Sequence, residues 1–250
     1  MYCLERSGTV PAVLCIHGFR QSSAYWAPTV ERLGQAGVRS LAPDLPGFGR
    51  SASVLGPYTM AGYADRLAAL LGERGQERVV VVGSSMGGVV AQHFVLRHPG
   101  RCSRLLLVAT GGAMADPKAG AAKAAAMATA PWDDEAVRPI VAGFFRQPLP
   151  DPQLQDLQRV ARMASHQAAV ESAQSNAESQ TLERLHEIRV PTLIIQGRHD
   201  RARTPEHGAQ MRDRIPGARL EVLEGSGHTP QLEEPEAFHR LALPFLIGDR

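Results

Sequence analysis

The sequence predicts an α/β fold, a mainly parallel β-sheet flanked by helices. Two observations carry this. Short, near-continuous apolar runs alternate with amphipathic helical patterns along most of the chain. Such runs suit parallel strands buried on both faces. The alternation then breaks between about Gly112 and Arg189, a stretch rich in Ala, Gln and Met that has no strand pattern. The 250 residues therefore read as one α/β domain carrying a helical insertion.

The strand candidates are residues 12–16, 38–42, 79–82, 104–108, 190–195 and 219–223. Helical patterns lie between and after them at 29–35, 60–74, 86–97, 205–214 and 234–245. Thr204 before Pro205 reads as an N-cap followed by a first-turn proline. Inside the break, Asp151-Pro152 reads as a helix start, with Leu154, Leu157, Ala161, Ala164 and Ala168 on one face. A second helical face begins at Pro139 and carries Ile140, Val141, Phe144 and Phe145. The expected organisation is a core of residues 1–111 and 189–250 with a helical cap at 112–188. Such an insertion can cover a site at the strand ends, where open α/β sheets bind ligands.

Composition excludes several function classes. A 44% hydrophobic share supports a large core, and a net charge of +2 offers no basic face for nucleic acid. All basic residues except Lys118 and Lys123 are arginine. The apolar run at 10–16 is too short to span a bilayer, and no basic segment leads into a signal-like stretch. Cys3, Cys15 and Cys102 lack C-x-x-C spacing, which disfavours disulfide and zinc readings. Cys15, within a strand pattern, reads as a small buried hydrophobe. The expectation is a cytoplasmic protein with a small-molecule substrate and no metal, cofactor, nucleic-acid or membrane partner.

The strongest motif is Gly83-Ser84-Ser85-Met86-Gly87, between the apolar run 79–82 and the helical pattern from Val89. A G-x-S-x-G at a strand-to-helix turn holds serine on a strained elbow with its hydroxyl above the sheet. The residues two positions away must be small, because the backbone reverses there. Centring on Ser85 places Gly83 and Gly87 at those positions, whereas centring on Ser84 places Val82 and Met86 there. Ser85 is thus the candidate nucleophile. A serine attacking a carbonyl also needs donors aimed at the developing oxyanion, each worth about 3 kcal/mol. The Met86 N–H supplies one, and the Phe19 N–H of His17-Gly18-Phe19, after the run 12–16, fits the other. Gly18 allows close approach, and His17 shapes the loop.

With these motifs the chain resembles the α/β-hydrolase fold superfamily over nearly its whole length. Pro43-Asp44-Leu45-Pro46-Gly47-Phe48-Gly49-Arg50-Ser51 is similar to a loop seen in many members. The resemblance implies the order nucleophile, acid, histidine. Asp200, after the strand that follows the cap, matches the acid, and His228, after the last strand, matches the base. His228 would take the Ser85 proton while Asp200 fixes its tautomer and stabilises the imidazolium.

Other residues compete less well. His199 adjoins the acid and is badly placed to bridge it to Ser85. His93 and His98 read as structural, His166 as a cap-helix residue, Asp44 as shaping the rim and Glu224 as ending a strand. Gly47-Phe48-Gly49-Arg50-Ser51-Ala52 satisfies G-x-G-x-x-G/A literally, but Pro43, Pro46 and Pro57 deny it the strand-to-helix context of a dinucleotide site.

The expected reaction is hydrolysis of a small carboxylic ester or lactone through an acyl-enzyme. C–C bond hydrolysis of the meta-cleavage product type is the enzymatic alternative, although many such enzymes place an aromatic residue where this chain has Thr229. A non-turnover ligand receptor on the same fold is the alternative from another class. Candidate substrate contacts are His17, Gly18, Arg20, Trp132, Phe144 and Phe145. For Arg20 an exposed surface guanidinium is the plainer reading.

Overall fold

The computed structural model describes every residue except Ala115, Ala128, Thr129, Pro131, Trp132, Asp249 and Arg250. Among the described residues, seven strands form one sheet: β1 (Cys3–Arg6), β2 (Thr9–Ile16), β3 (Val38–Pro43), β4 (Val79–Ser84), β5 (Cys102–Val108), β6 (Thr192–Gly197) and β7 (Arg219–Leu223). Their spatial order is β1-β3-β2-β4-β5-β6-β7. Only β1 runs antiparallel, pairing Cys3 with Pro43 and Arg6 with Ser40. All other neighbours are parallel.

Alternate residues of the central strands feed two cores. Leu14 and Ile16 of β2, Val79 and Val81 of β4, and Leu105 and Leu107 of β5 enter one cluster. Val13, Cys15, Val80, Val82, Leu106 and Val108 enter the other. That division is why these runs show no polar alternation: both sheet faces are covered. On the first face pack α2 (Met60–Glu73) and α3 (Met86–Arg97), through Tyr63, Leu67, Val90 and Phe94. On the second face lies α1 (Ala27–Gln35), through Val30 and Leu33.

Between β5 and β6 come α4 (Pro117–Met127), α5 (Asp134–Ala142), α6 (Asp151–Arg162) and α7 (His166–Glu178). After β6 the chain forms α8 (Pro205–Arg212), and after β7 the short α9 (Pro230–Glu233) and α10 (Pro235–Ile247). Phe238, Ala242 and Leu246 of α10 join the second core.

Four expectations need correction. The edge strand β1 escapes an apolar-run search because its residues are only half-buried or exposed. Strand β6 begins at Thr192 instead of Val190, after Pro191, which has no amide hydrogen for the ladder. The helix expected from Pro139 starts at Asp134, because the Asp133 carboxylate caps the Ala136 N–H at 2.9 Å. Phe144 and Phe145 therefore follow that helix. The single face from Leu154 to Ala168 is divided between α6 and α7. Leu154 and Ala161 pack with Val137 and Val141, whereas Ala164 and Ala168 join the first main core.

The segment between β5 and β6 is tied to the sheet-bearing part at several points. The Thr181 and Leu182 amides both donate to Gly112 O, at 2.9 and 3.0 Å. Ser165 N–H donates to Gly47 O at 2.8 Å, and Met60 N–H to Ser175 Oγ at 3.1 Å. Gly47, with φ +83°, is pressed against α7: a β-carbon there would fall 2.0 Å from Ala168 Cβ. The glycine-rich stretch at 47–52 thus seats a helix and is not a nucleotide turn.

Candidate active site

Strand β4 ends at Ser84, and Ser85 stands on the turn into α3 with φ 54° and ψ −121°. Among the described residues, only Arg20, Ser85 and Ala109 combine a side chain larger than glycine's with a positive φ. They follow β2, β4 and β5, so the strained backbone gathers at one end of three adjacent strands. Each such residue costs about 1–3 kcal/mol and persists only where its surroundings over-determine it. For Ser85 those surroundings are explicit. Its N–H donates to Val108 O at 2.9 Å, and the Thr110 hydroxyl donates to its carbonyl at 2.7 Å.

The elbow needs its glycines. A β-carbon on Gly83 would lie 2.2 Å from Gly87 O, and one on Gly87 would lie 2.4 Å from both Ile16 O and His17 O. Ser84 is fully buried whereas Ser85 is half-buried, so the hydroxyl available above the sheet is that of Ser85.

Asp200 and His228 reach Ser85 from the loops after β6 and β7. The Asp200 carboxylate is buried; its Oδ1 accepts the Ala202 and Arg203 amides, each at 2.8 Å. Its Oδ2 accepts from His228 Nδ1 at 2.7 Å. Because a carboxylate can only accept, Nδ1 carries the proton and Nε2 presents a lone pair. Ser85 Oγ lies 2.8 Å from that Nε2 and donates to it. The three sequence-selected side chains therefore form one directed hydrogen-bond chain.

The loop after β2 overhangs the serine: a β-carbon on Gly18 would come within 3.1 Å of Ser85 Cβ. Met86 N–H is the first of α3 and has no partner within the helix. His17 is fully buried, donates from Nδ1 to Gly18 O at 2.8 Å and accepts the Leu45 N–H at Nε2 at 2.9 Å. Burial, opposed in part by Asp44, holds its pKa below the ordinary histidine value, so the ring stays neutral and structural. Phe19 packs at the edge of the first core, with Phe48 at 6.2 Å between ring centroids.

Arg20 departs from the surface reading. It is only 3% exposed, its Cζ sits 5.8 Å from the Phe19 ring centroid, and burial lowers its pKa to about 10. The cation persists at neutral pH inside the protein. Phe144 stacks obliquely on His228, 5.7 Å away at 36°. Phe145 is divided between the α5–α6 cluster and a cavity of about 700 Å³ that Arg146, Arg198, Asp200, Arg201 and His228 also line. Trp132 lies outside the described residues.

The competing residues are engaged elsewhere. His93 bonds Ser179 Oγ, His98 meets Asp65, and Glu224 forms a two-point pair with Arg198. The buried Asp44 carboxylate accepts the Ser23 and Arg50 amides, both at 2.7 Å, and shapes the loop. His199 is exposed beside the acid. His166 opens α7. Among the described residues, no group of three or more His, Cys, Asp or Glu side chains could hold a metal ion, and no helix is long and apolar enough to cross a membrane.

Sequence reasoning missed Thr110, Arg203 and Glu233. Thr110 locks the Ser85 carbonyl. Arg203 donates its amide to Asp200 and its guanidinium to Ala113 O at 3.3 Å. Glu233 bonds both residues flanking His228. None forms a motif with its target in sequence, so only the folded chain reveals them.

The sequence matches the profile of the Alpha/beta hydrolase family over residues 13–241. The chain belongs to this family. It is 30% identical to a 2-hydroxy-6-oxononadienedioate/2-hydroxy-6-oxononatrienedioate hydrolase of Pseudomonas putida, over 94% of this chain and 87% of that one. An esterase from Exiguobacterium antarcticum superposes with a TM-score of 0.87 at 25% identity, covering 99% of this chain and 95% of the esterase. The enol-lactonase from Burkholderia xenovorans has the same fold, with a TM-score of 0.89 at 23% identity over 99% and 96% of the two chains.

Proposed function

We propose that this hydrolase cleaves small carboxylic esters or lactones through an acyl-enzyme on Ser85. The observation that carries the reading is the Asp200–His228–Ser85 chain, with bonds of 2.7 and 2.8 Å. His228 Nε2 takes the Ser85 proton as Oγ attacks the carbonyl carbon. The Phe19 and Met86 amides hold the oxyanion, each worth about 3 kcal/mol. The imidazolium, stabilised by Asp200, passes its proton to the departing alkoxide. His228 then deprotonates a water that hydrolyses the acyl-enzyme, and Ser85 Oγ recovers its proton. For a lactone the alkoxide stays tethered, and one hydroxy acid is released. The esterase and enol-lactonase likenesses support this choice of substrate class.

Residues 112–188 serve as the cap in this reading. Phe144 and Phe145 would border the acyl or alcohol pocket, and Phe19 its opposite side. Three free cysteines, two of them buried, suit a reducing cytoplasmic setting.

C–C hydrolysis is the second reading. The Pseudomonas putida relative favours it, as does the presence of Arg146 and Arg201 beside Asp200 and His228, which would attract a carboxylate-bearing substrate. Against it stands Thr229, which is fully buried and hydrogen-bonded to Glu233 at 3.2 Å. Purified protein assayed on p-nitrophenyl butyrate, small lactones and a 2-hydroxy-6-oxodienoate decides between them. Sustained turnover of the ester or lactone supports the main reading. Turnover of the dienoate alone replaces it with the second. A single burst, or none on any member, points to a ligand receptor.

A further inference from the structure

Glu233, on the short helix α9, lies five residues past the proposed base, and its carboxylate meets two parts of the molecule at once. Oε2 accepts the Gly227 N–H at 3.0 Å and the Thr229 N–H at 3.0 Å, the amides on either side of His228. The Thr229 hydroxyl also lies 3.2 Å from Oε2. Oε1 accepts the Arg146 N–H at 2.6 Å, from the segment that links α5 to α6.

A second set of bonds joins the same two segments without Glu233. The His228 N–H donates to Phe144 O at 3.1 Å, and the Thr229 hydroxyl lies 3.2 Å from that carbonyl. The Arg146 guanidinium donates to Gly225 O at 3.2 Å. The Phe144 ring covers the imidazole, with centroids 5.7 Å apart. The backbone carrying His228 is thus bonded on one side to α9 and on the other to residues 144–146. Neither side is secured by a strand ladder, because β7 ends at Leu223.

We propose that Glu233 is a positioning residue that locks the His228 loop to residues 144–146, so that seating this segment and aligning the imidazole are one event. The proposal rests on the reading of His228 as the base. Charged acceptors make the strongest hydrogen bonds to amides, and one carboxylate serving several donors must hold them in register. Without it, the Gly227, Thr229 and Arg146 amides lose their acceptor, which leaves only the bonds to Phe144 O and the Arg146–Gly225 bond to hold the two segments together. Displacing a general base by about 1 Å costs about 10²-fold in rate. Glu233 touches neither Ser85 nor the reacting atoms, so its effect passes through His228.

The decisive readout is the His228 amide, whose acceptor is Phe144 O and which Glu233 does not contact. The full-length protein is compared with Glu233→Ala and Glu233→Gln by residue-resolved amide exchange and by the low-field proton of the His228–Asp200 bond. Steady-state kinetics on p-nitrophenyl butyrate accompany these measurements. In Glu233→Ala the His228 and Arg146 amides are expected to exchange faster together, by about tenfold or more, while the β4 and β5 amides are unchanged. The low-field proton signal weakens, and kcat falls by about 10²-fold with KM within about threefold. Glu233→Gln offers one acceptor oxygen in place of two, so its exchange and kcat fall between those of wild type and Glu233→Ala. It carries the comparison alone if the alanine variant does not fold.

The proposal is overturned if only Gly227, Thr229 and Arg146 lose protection while His228 keeps it. An unchanged low-field proton, or a rise in KM alone, overturns it too. Amide exchange needs no turnover, so failure of the hydrolytic reading, shown by an active Ser85→Ala enzyme, is seen separately.

Discussion

Gly83 and Gly87 oppose each other across the elbow so closely that a β-carbon on Gly83 would stand 2.2 Å from the Gly87 carbonyl oxygen. Backbone, not a movable side chain, blocks that space. Gly83→Ala must therefore displace β4 or α3, and Gly87→Ala must displace α3 or the end of β2, where the Ile16 and His17 carbonyls stand. Each is expected to destabilise the protein by about 3 kcal/mol or more, at the upper end of overpacking costs. Urea denaturation monitored by circular dichroism checks this; a midpoint within error of wild type for either variant contradicts the elbow geometry.

Ser85 combines the candidate nucleophile with a strained backbone. Ser85→Ala removes the nucleophile and keeps the strain, so kcat/KM should fall by about 10³-fold or more while the melting temperature barely moves. Ser85→Gly removes both. Glycine accepts φ 54°, ψ −121° without a β-carbon penalty, so this variant should be about 1 kcal/mol more stable than Ser85→Ala. Paired thermal melts test the difference, and equal stability would show that the conformation is not strained.

Asp200→Asn tests the direction of the hydrogen-bond chain. The Ala202 and Arg203 amides hold Oδ1, so an asparagine keeps its carbonyl oxygen there and turns its NH2 group toward His228. Nδ1 must then accept, which moves the ring proton to Nε2, where it faces Ser85 instead of a lone pair. The expected loss is about 10⁴-fold in kcat with the fold intact. A variant that retains a tenth of the activity would remove Asp200 from the proposed triad.

His17 makes stability depend on pH. Its folded-state pKa lies below the 6.5 of an ordinary histidine because burial penalises the charged ring. The unfolded chain therefore takes up the proton first, and stability falls as pH drops below about 6.5 until the lowered folded value is reached. Burial lowers His93 and His239 as well, with the same sign. His17→Asn should start less stable but lose less between about pH 7.5 and pH 5 than wild type does. Melting temperatures across that range give the comparison; parallel curves would exclude His17 as a contributor.

Much of this was legible before folding because parallel strands buried on both faces leave an unbroken apolar signature. Val79 to Val82 followed by a small-residue turn could hardly be anything but a strand entering an elbow. Strand β1 was not legible, since a half-exposed edge strand needs no apolar run. The course of the chain from Asp133 to Phe145 was not legible either, because a cap on Ala136 outweighed the pull of Pro139 as a helix start. Arg20 looked like a surface side chain and is buried.

The sequence by itself determined the layered α/β fold, through the period of its apolar runs, and the choice of Ser85 over Ser84, through turn sterics. The candidate acid and base came from its resemblance to the α/β-hydrolase fold, whose chain order Asp200 and His228 match. The tertiary structure alone decided which oxygen of Asp200 faces His228, which tautomer that imposes, and how the imidazole is seated. The Ala202 and Arg203 amides select the oxygen, whereas the seating of the imidazole depends on hydrogen bonds between residues far apart in the chain, such as His228 to Phe144 and Glu233 to Arg146. No local pattern records such a bond, because it forms only when groups far apart in the chain are brought within hydrogen-bonding distance by the fold.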